Sequence, residues 1–307
     1  MDIRVARYFD DQFESRTFSL AIYGDSLDAR TEYSINEVQR IATKSYPFKY
    51  DGDELKIQIG SDCIECHDLY DYLKSIALET SVLLDATSLD VPELALILSA
   101  FKDAEISAVD IFYVEPESYS EDTSYYSQTS NYNLSDNILG FENTGVPGVS
   151  MPVDDYATSS FVIFGGFEPS RLLGAFEAYE MNRDNSFIVI GVPGFKFGWD
   201  SISFRSNLKV LSDNQMSDAI KFSSANCPVS TYRLLNEVRA CVGANNIFLL
   251  PLGTKPSSLG ALLYMIQNRA NTFLLFDRPV RKVGRTSGVG KKYMYRFISN
   301  AVSSNSI

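Results

Sequence analysis

Histidine is almost missing from this chain: His67 is the only one in 307 residues. That excludes catalytic constellations built on several imidazoles, and neither an H-E-x-x-H nor a G-x-S-x-G pattern occurs. Cysteine is sparse as well. Four residues without dense spacing exclude a disulfide framework and fit reduced thiols. Positive charge is in deficit, 27 Lys and Arg against 39 Asp and Glu, for a formal net charge of -12. A field of that sign repels polyanions, so non-specific binding to nucleic acid or to an anionic membrane is not expected. No apolar run approaches the length of a bilayer, and the opening MDIRVARYFDD lacks a cationic segment followed by an apolar one. The expectation is a soluble, cytoplasmic protein. The segment Cys63-Ile-Glu-Cys66-His67 formally matches the C-x-x-C-H haem-attachment pattern, yet no export signal accompanies it. Cys227 and Cys241 do not form the second C-x-x-C pair that a zinc site would need. The expected reading is therefore two small thiols at a helix start, with no metal and no cofactor.

What is present is a hydrophobic fraction of 45%, ample for a core, arranged in a repeated pattern. The stretch Asn245 to Asp277 carries it most clearly. Ile247 to Leu250 is a short apolar run of the kind buried on both faces, followed by the turn Gly253, Thr254, Lys255 and Pro256. Leu259, Leu262, Leu263 and Ile266 then recur at helical spacing, and Thr272 to Phe276 returns as a strand. Two other stretches repeat this order. Val82 to Asp85 leads through a polar loop to Pro92 and a helix apolar nearly all round, and Ala108 to Val114 follows it. Phe161 to Phe164 leads through Gly165, Gly166 and Phe167 to Pro169, then Phe187 to Val192. Parallel strands require crossovers, so the sequence predicts an α/β, Rossmann-like domain with a mainly parallel sheet and helices on both faces.

The expected organisation places a smaller N-terminal α+β region at residues 1–78 and the Rossmann-like domain at 79–298. A long Tyr- and Ser-rich insertion falls at about 118–155, too long for an ordinary connection, and 299–307 reads as a disordered tail. If all three turns lie on one sheet edge, that edge presents Asp85, Thr87 and Ser88; Gly165, Gly166, Ser170 and Arg171; and Gly253, Thr254, Lys255, Ser257 and Ser258. Serine and threonine there also serve as helix caps, but glycine pairs beside Arg171 and Lys255 suit an anion at helix N-termini. The segment from Arg278 through Arg281, Lys282, Arg285, Lys291, Lys292 and Arg296 is the one strongly basic run, and it reads as a phosphate-facing lip. It is not a P-loop, because the glycine spacing is wrong and no Ser or Thr follows Lys291.

The strand, the Gly253-Thr254-Lys255 turn and the apolar helix after it resemble the ligand-binding turn of CARF and SAVED domains, Rossmann-like sensors of cyclic oligonucleotides in prokaryotic immune systems. Here Leu252 stands where that turn usually has the first of two glycines. The blocks IGVPGFKFGW and PLGTKPSSLG are also similar to uncharacterised bacterial proteins of phage-defence loci. The resemblance implies a regulatory, antiviral-defence sensor whose partners are an anionic small molecule, a nucleotide or cyclic oligonucleotide, and a protein from the same locus. Thr254, Lys255 and Ser257 would then meet phosphates, with Ser88 and Arg171 in the same crevice.

Two other functions stay open on the residues alone. One is a metal-dependent enzyme acting on nucleotides or nucleic acid, with Asp85, Asp90 and Glu115 at strand ends holding Mg²⁺. The other is a non-catalytic scaffold subunit. The purified protein is expected to be colourless and to hold no stoichiometric zinc; a Soret band, or one zinc per chain by metal analysis, would overturn the reading of Cys63, Cys66 and His67.

Overall fold

In the computed structural model, which describes residues 16–77, 81–120, 132, 134–141 and 145–298, the chain begins with β1 (Phe18–Tyr23), a strand whose residues from Leu20 to Ile22 are all buried. It leads through a polar loop to α1 (Ala29–Ile41), where Asp28 and Thr31 cap each other's backbone. Then come β2 (Ala42–Asp51), β3 (Lys56–Ile59), β4 (Asp62–Glu65), α2 (Leu69–Ala77), β5 (Val82–Asp85), α3 (Val91–Asp103) and β6 (Ala108–Tyr119). β1 lies parallel to both β2 and β5, β5 lies parallel to β6, and β2, β3 and β4 form an antiparallel meander. With β14 (Thr286–Ile298) beside β6, the order is β14-β6-β5-β1-β2-β3-β4. α1 covers one face through Val38 and Ile41, packed with Phe18, Leu83 and Phe112. The alternate residues Leu20, Ile22, Leu84 and Ile111 are equally buried, so both faces of these strands are covered. α3 is buried from Val91 to Leu98, as its all-round apolar sequence requires.

The second unit starts after β6. β7 (Ser135–Ile138) is followed by β8 (Ser159–Phe164), α4 (Pro169–Ala178), β9 (Ser186–Gly191), α5 (Trp199–Asp213), β10 (Ile220–Ser223), α6 (Pro228–Val242), β11 (Asn246–Leu250), α7 (Lys255–Gln267), β12 (Thr272–Leu274) and β13 (Pro279–Arg281). Five of these strands make a wholly parallel sheet in the order β10-β9-β8-β11-β12. That is the doubly wound arrangement: the chain moves outward from β8 through β9 to β10, then returns to the other side of β8. α4 and α5 pack on the face formed by Phe161, Ile163, Ile188 and Ile190, while α6 and α7 pack on each other. β7 and β13 form a separate antiparallel pair. Among the described residues no helix is long and apolar enough to cross a membrane.

The α/β class matches the sequence reading, but the organisation differs from it in three respects. The chain divides into residues 1–118 with 286–307, and 119–285, not at 78 and 79. The cause is β5, which pairs directly with β1 and so draws residues 79–118 into the N-terminal sheet. The three strand-turn-helix repeats therefore do not share one sheet edge: the turn before Pro92 lies in the first unit, those before Pro169 and Pro256 in the second. The basic run is divided between the units: Arg278 and Arg281 belong to the second, whereas Lys291, Lys292 and Arg296 lie within β14 of the first. Of the Tyr- and Ser-rich insertion, residues 121–131, 133 and 142–144 lie outside the described residues, as does the tail at 299–307.

At the carboxyl end of β5, Asp85 is fully buried. Its carboxylate accepts from Ser34 Oγ at 2.5 Å, from the Thr87 amide at 2.9 Å and from Ser88 Oγ at 2.6 Å. Thr87 in turn accepts from the Val114 amide, and Ser88 from the Gly24 amide. Burial pushes the Asp85 carboxyl above its ordinary range, against the pull of those donors. Ionising it therefore costs the folded state: its contribution is full below the usual carboxylate pKa and declines as pH rises through the elevated folded value. Asp85→Ala should lose about 3 kcal/mol or more in denaturant unfolding, through orphaned donors, and Asp85→Asn roughly 1 kcal/mol. The Asn variant should also flatten the fall in stability above the normal carboxylate range. An Ala variant as stable as wild type would contradict the network.

Candidate functional site

In open parallel sheets ligands bind outside the carboxyl ends of the strands, at the point where the order reverses. In the second unit that point lies between β8 and β11. Gly165 and Gly166 follow β8, and Leu252 and Gly253 follow β11. A Cβ on Gly166 would stand 2.6 Å from the Leu252 carbonyl oxygen, and one on Gly253 would stand 3.0 Å from the Gly165 carbonyl oxygen. Each glycine is therefore needed where the other turn's backbone passes. Thr254 caps α7: its hydroxyl accepts from the Ser257 amide at 3.4 Å and donates to the Ala225 carbonyl at 2.5 Å. Ser258 Oγ donates back to the Thr254 carbonyl, and Ser257 and Ser258 are both buried. Pro256 has no amide proton, and the Ser257 amide is taken by the cap. The helix end carries partial positive charge, and Lys255, half-buried, is its first residue.

Arg171 does not stand open to that crevice as the sequence reading expects. It forms a bidentate pair with Asp277, Nε to Oδ2 and Nη2 to Oδ1 each at 2.6 Å, and Nη1 donates to the Leu252 carbonyl at 3.3 Å. Its side chain is 11% exposed and that of Asp277 0%. The guanidinium ties the first turn of α4 to the segment after β12 and to the turn after β11. Ser170, beside it, is exposed. Arg278 follows Asp277 with a φ of 47°, in the left-handed region, and Arg281 ends β13; both are half-buried. Asp85, Thr87 and Ser88 belong to the first unit and are buried in their own network, so the structure does not place them with Lys255. Asp90 and Glu115 do not join Asp85 in a metal site: Asp90 and Glu93 cap α3, Glu115 accepts from the Tyr293 hydroxyl, and among the described residues no group of three or more His, Cys, Asp or Glu could hold a metal ion. Burial, then the neighbouring Glu65 charge, pushes the Cys66 thiol up to about 11, which suits neither a thiolate ligand nor a nucleophile at neutral pH.

An aromatic cluster at the same sheet edge was not anticipated from the sequence. Phe167 stacks on Tyr132 with centroids 4.9 Å apart and meets Tyr119 edge-on at 5.1 Å; Trp199, the first residue of α5, lies 5.1 Å from Tyr119 and 5.9 Å from Phe167. Lys196 Nζ sits 5.7 Å over the Trp199 ring, and Phe197 beside it is fully exposed. Glu168 fixes the adjoining segment, its carboxylate accepting from the Leu134 amide and from Ser135 Oγ. The fully buried Asn207 donates its amide to the Gly166 carbonyl at 2.8 Å, while its Oδ1 has no hydrogen-bond partner among the described residues. The sequence signals for this wall were the Tyr-rich insertion and the aromatic block GFKFGW after β9, whose rings no periodicity could aim.

No protein-family model matches the chain, and no curated protein matches it at a significant level. Among solved structures it is similar to a periplasmic ribose ABC transporter from Conexibacter woesei DSM 14684, at 10% identity over 83% of this chain and 70% of that one, with a TM-score of 0.25. At that score the likeness bears on neither fold nor ligand.

Arg171→Ala leaves a buried carboxylate unpaired and should cost about 3 to 5 kcal/mol in urea unfolding. Combining Arg171→Met with Asp277→Leu should recover part of that loss, since the pair is then replaced by apolar volume. A single variant within experimental error of wild type would show that the ion pair does not hold the turns.

Proposed function

We propose that the chain is a ligand-binding module and that the β11–α7 turn of its Rossmann-like second unit receives an anionic group. One observation carries the reading: at the reversal point between β8 and β11, the first residue of a helix following a buried strand is a lysine. A cation is unfavourable at that end of a helix for the helix's own sake, and a role in receiving an anionic group is the reading it supports. Thr254 and Ser257 serve the cap, Gly166 and Gly253 let the two turns approach, and Lys255 supplies the charge.

The aromatic wall of Phe167, Tyr119 and Trp199 in the same unit favours a ligand with a flat, polarisable part beside its anionic one, a nucleotide, over inorganic phosphate. Within that reading, the role as a cytoplasmic sensor of an anti-phage system, responding to a nucleotide or cyclic oligonucleotide, rests on the likeness of the PLGTKPSSLG turn alone. Binding is preferred over catalysis because the carboxylates that would hold a catalytic metal are engaged elsewhere in the fold.

The test is a calorimetric titration of wild type and Lys255→Ala with a nucleotide panel that includes cyclic oligonucleotides, beside a thermal melt of each. Lys255→Ala should weaken binding by roughly 1.5 to 3 kcal/mol, the range of a charge-assisted hydrogen bond, with the melting temperature unchanged or slightly raised. Loss of several degrees with undiminished binding would make Lys255 a structural residue, and no binding across the panel would remove the nucleotide.

A further inference from the structure

The five-stranded sheet has two edges, and they are finished differently. At β12 the chain covers its own edge: the Leu274 amide donates to the Val149 carbonyl at 2.8 Å, and Ser150 Oγ donates to the Leu274 carbonyl at 2.7 Å. At β10 nothing comparable occurs among the described residues. The direction of its backbone groups follows from the pairing with β9. The Val192 amide donates to the Ser223 carbonyl at 2.7 Å, so the backbone of Ser223 faces β9. Because successive residues of a strand point their N–H and C=O groups to opposite sides, those of Lys221 face β9 too, and those of Ile220 and Phe222 face outward. No hydrogen bond to these outward groups occurs among the described residues. Such groups are a template for another strand.

Beside that edge lies a recess of about 280 Å³, bounded by Phe222 on the strand side and by Cys227, Val229, Arg233, Leu234 and Glu237. Val229, Arg233, Leu234 and Glu237 share one face of α6, and Phe222 is 60% exposed. Ser223 Oγ bonds Ser230 and Thr231 of α6, so the alternate residue Lys221 stands on the α6 side of the sheet as well. The charged side chains near the recess are thus two cations, Lys221 and Arg233, and one carboxylate, Glu237, a local excess of one positive charge in a chain whose formal net charge is -12.

We propose that the open edge of β10 is a docking site for an extended segment of a partner protein, which adds a sixth strand to the sheet. Backbone bonds to Ile220 and Phe222 hold it in place. Its alternate side chains point toward α6, one apolar residue filling the recess against Val229 and Leu234 and a neighbouring acidic residue meeting Lys221 and Arg233. The partner segment therefore carries an apolar and an acidic residue two positions apart, on the same face of the added strand. The surface is separate from the β11–α7 turn and does not depend on what binds there.

A phage-displayed library of random linear peptides is the probe, selected on the full chain and followed by fluorescence polarisation of the enriched peptides. Enriched sequences should carry an apolar and an acidic residue two positions apart. Phe222→Pro removes an outward-facing amide while sparing the bonds to β9, a placement that edge strands tolerate, and should weaken binding about tenfold or more with the melting temperature little changed. Arg233→Glu should weaken it comparably. N-methylation along the best peptide should abolish binding at every second residue only. The proposal is overturned if no sequence with that spacing is enriched, if Phe222→Pro binds as wild type does, or if methylation is indifferent to position. It is also overturned if sedimentation shows a wild-type dimer that Phe222→Pro dissociates, since a second copy then occupies the edge.

Discussion

Both units depend on one steric constraint: where strand order reverses, the turn after one strand must pass the turn after its parallel neighbour with almost no room between them. In the second unit the close approach is Gly166 against the Leu252 carbonyl, answered by Gly253 against that of Gly165. In the first unit it is Gly24, after β1, whose Cβ would lie 2.6 Å from the Ser88 carbonyl oxygen after β5. Any side chain at these positions would separate the central pair of parallel strands. The polar groups around each contact follow from it, because backbone brought so close must have its donors and acceptors met locally. Ser88 accepts from the Gly24 amide in one unit. In the other, Asn207 and Ser203 both donate to the Gly166 carbonyl while Arg171 reaches that of Leu252.

The parts legible in the sequence were those whose signal is local. Val82 to Asp85, Phe161 to Phe164 and the β11–α7–β12 unit stand where periodicity and the Pro-led helix starts put them. What escaped depends on partners far along the chain. β14 carries Gly288 and Gly290 inside it and reads as a basic loop, yet Thr286–Ile298 is a strand because β6, well over a hundred residues earlier, offers it an edge. β10, Ile220–Ser223, lacks the continuous apolar run that marks the equally short β5. The assignment of β5 to the first sheet rests on its register with β1, which no run of residues encodes by itself.

The candidate site was less legible than the fold for a related reason. Residue type and position on a turn mark a hydroxyl or a guanidinium as available, but availability depends on what else the chain brings there. Asp85, Thr87 and Ser88 bond one another and Ser34, and Arg171 meets Asp277, more than a hundred residues on. Each was a sound candidate by chemistry and each is consumed by the fold. The aromatic wall was missed in the opposite sense, because Tyr119, Tyr132, Phe167 and Trp199 come from four separate segments.

These closures also bear on the proposed site. Each unit has the architecture that places ligands at a reversal point, so architecture alone does not choose between them. The first unit fills its own with a buried carboxylate surrounded by three donors, an arrangement already satisfied and of the wrong sign for an anion. α1, which opens beside it, is capped by Asp28, so the positive end of that helix is answered from within the chain. In the second unit the large internal charges also cancel, Arg171 against Asp277, but α7 opens on Lys255 and is capped by a neutral hydroxyl. A neutral cap and a lysine at that helix end, where an aspartate would bring the opposite sign, are what the proposed anion site rests on.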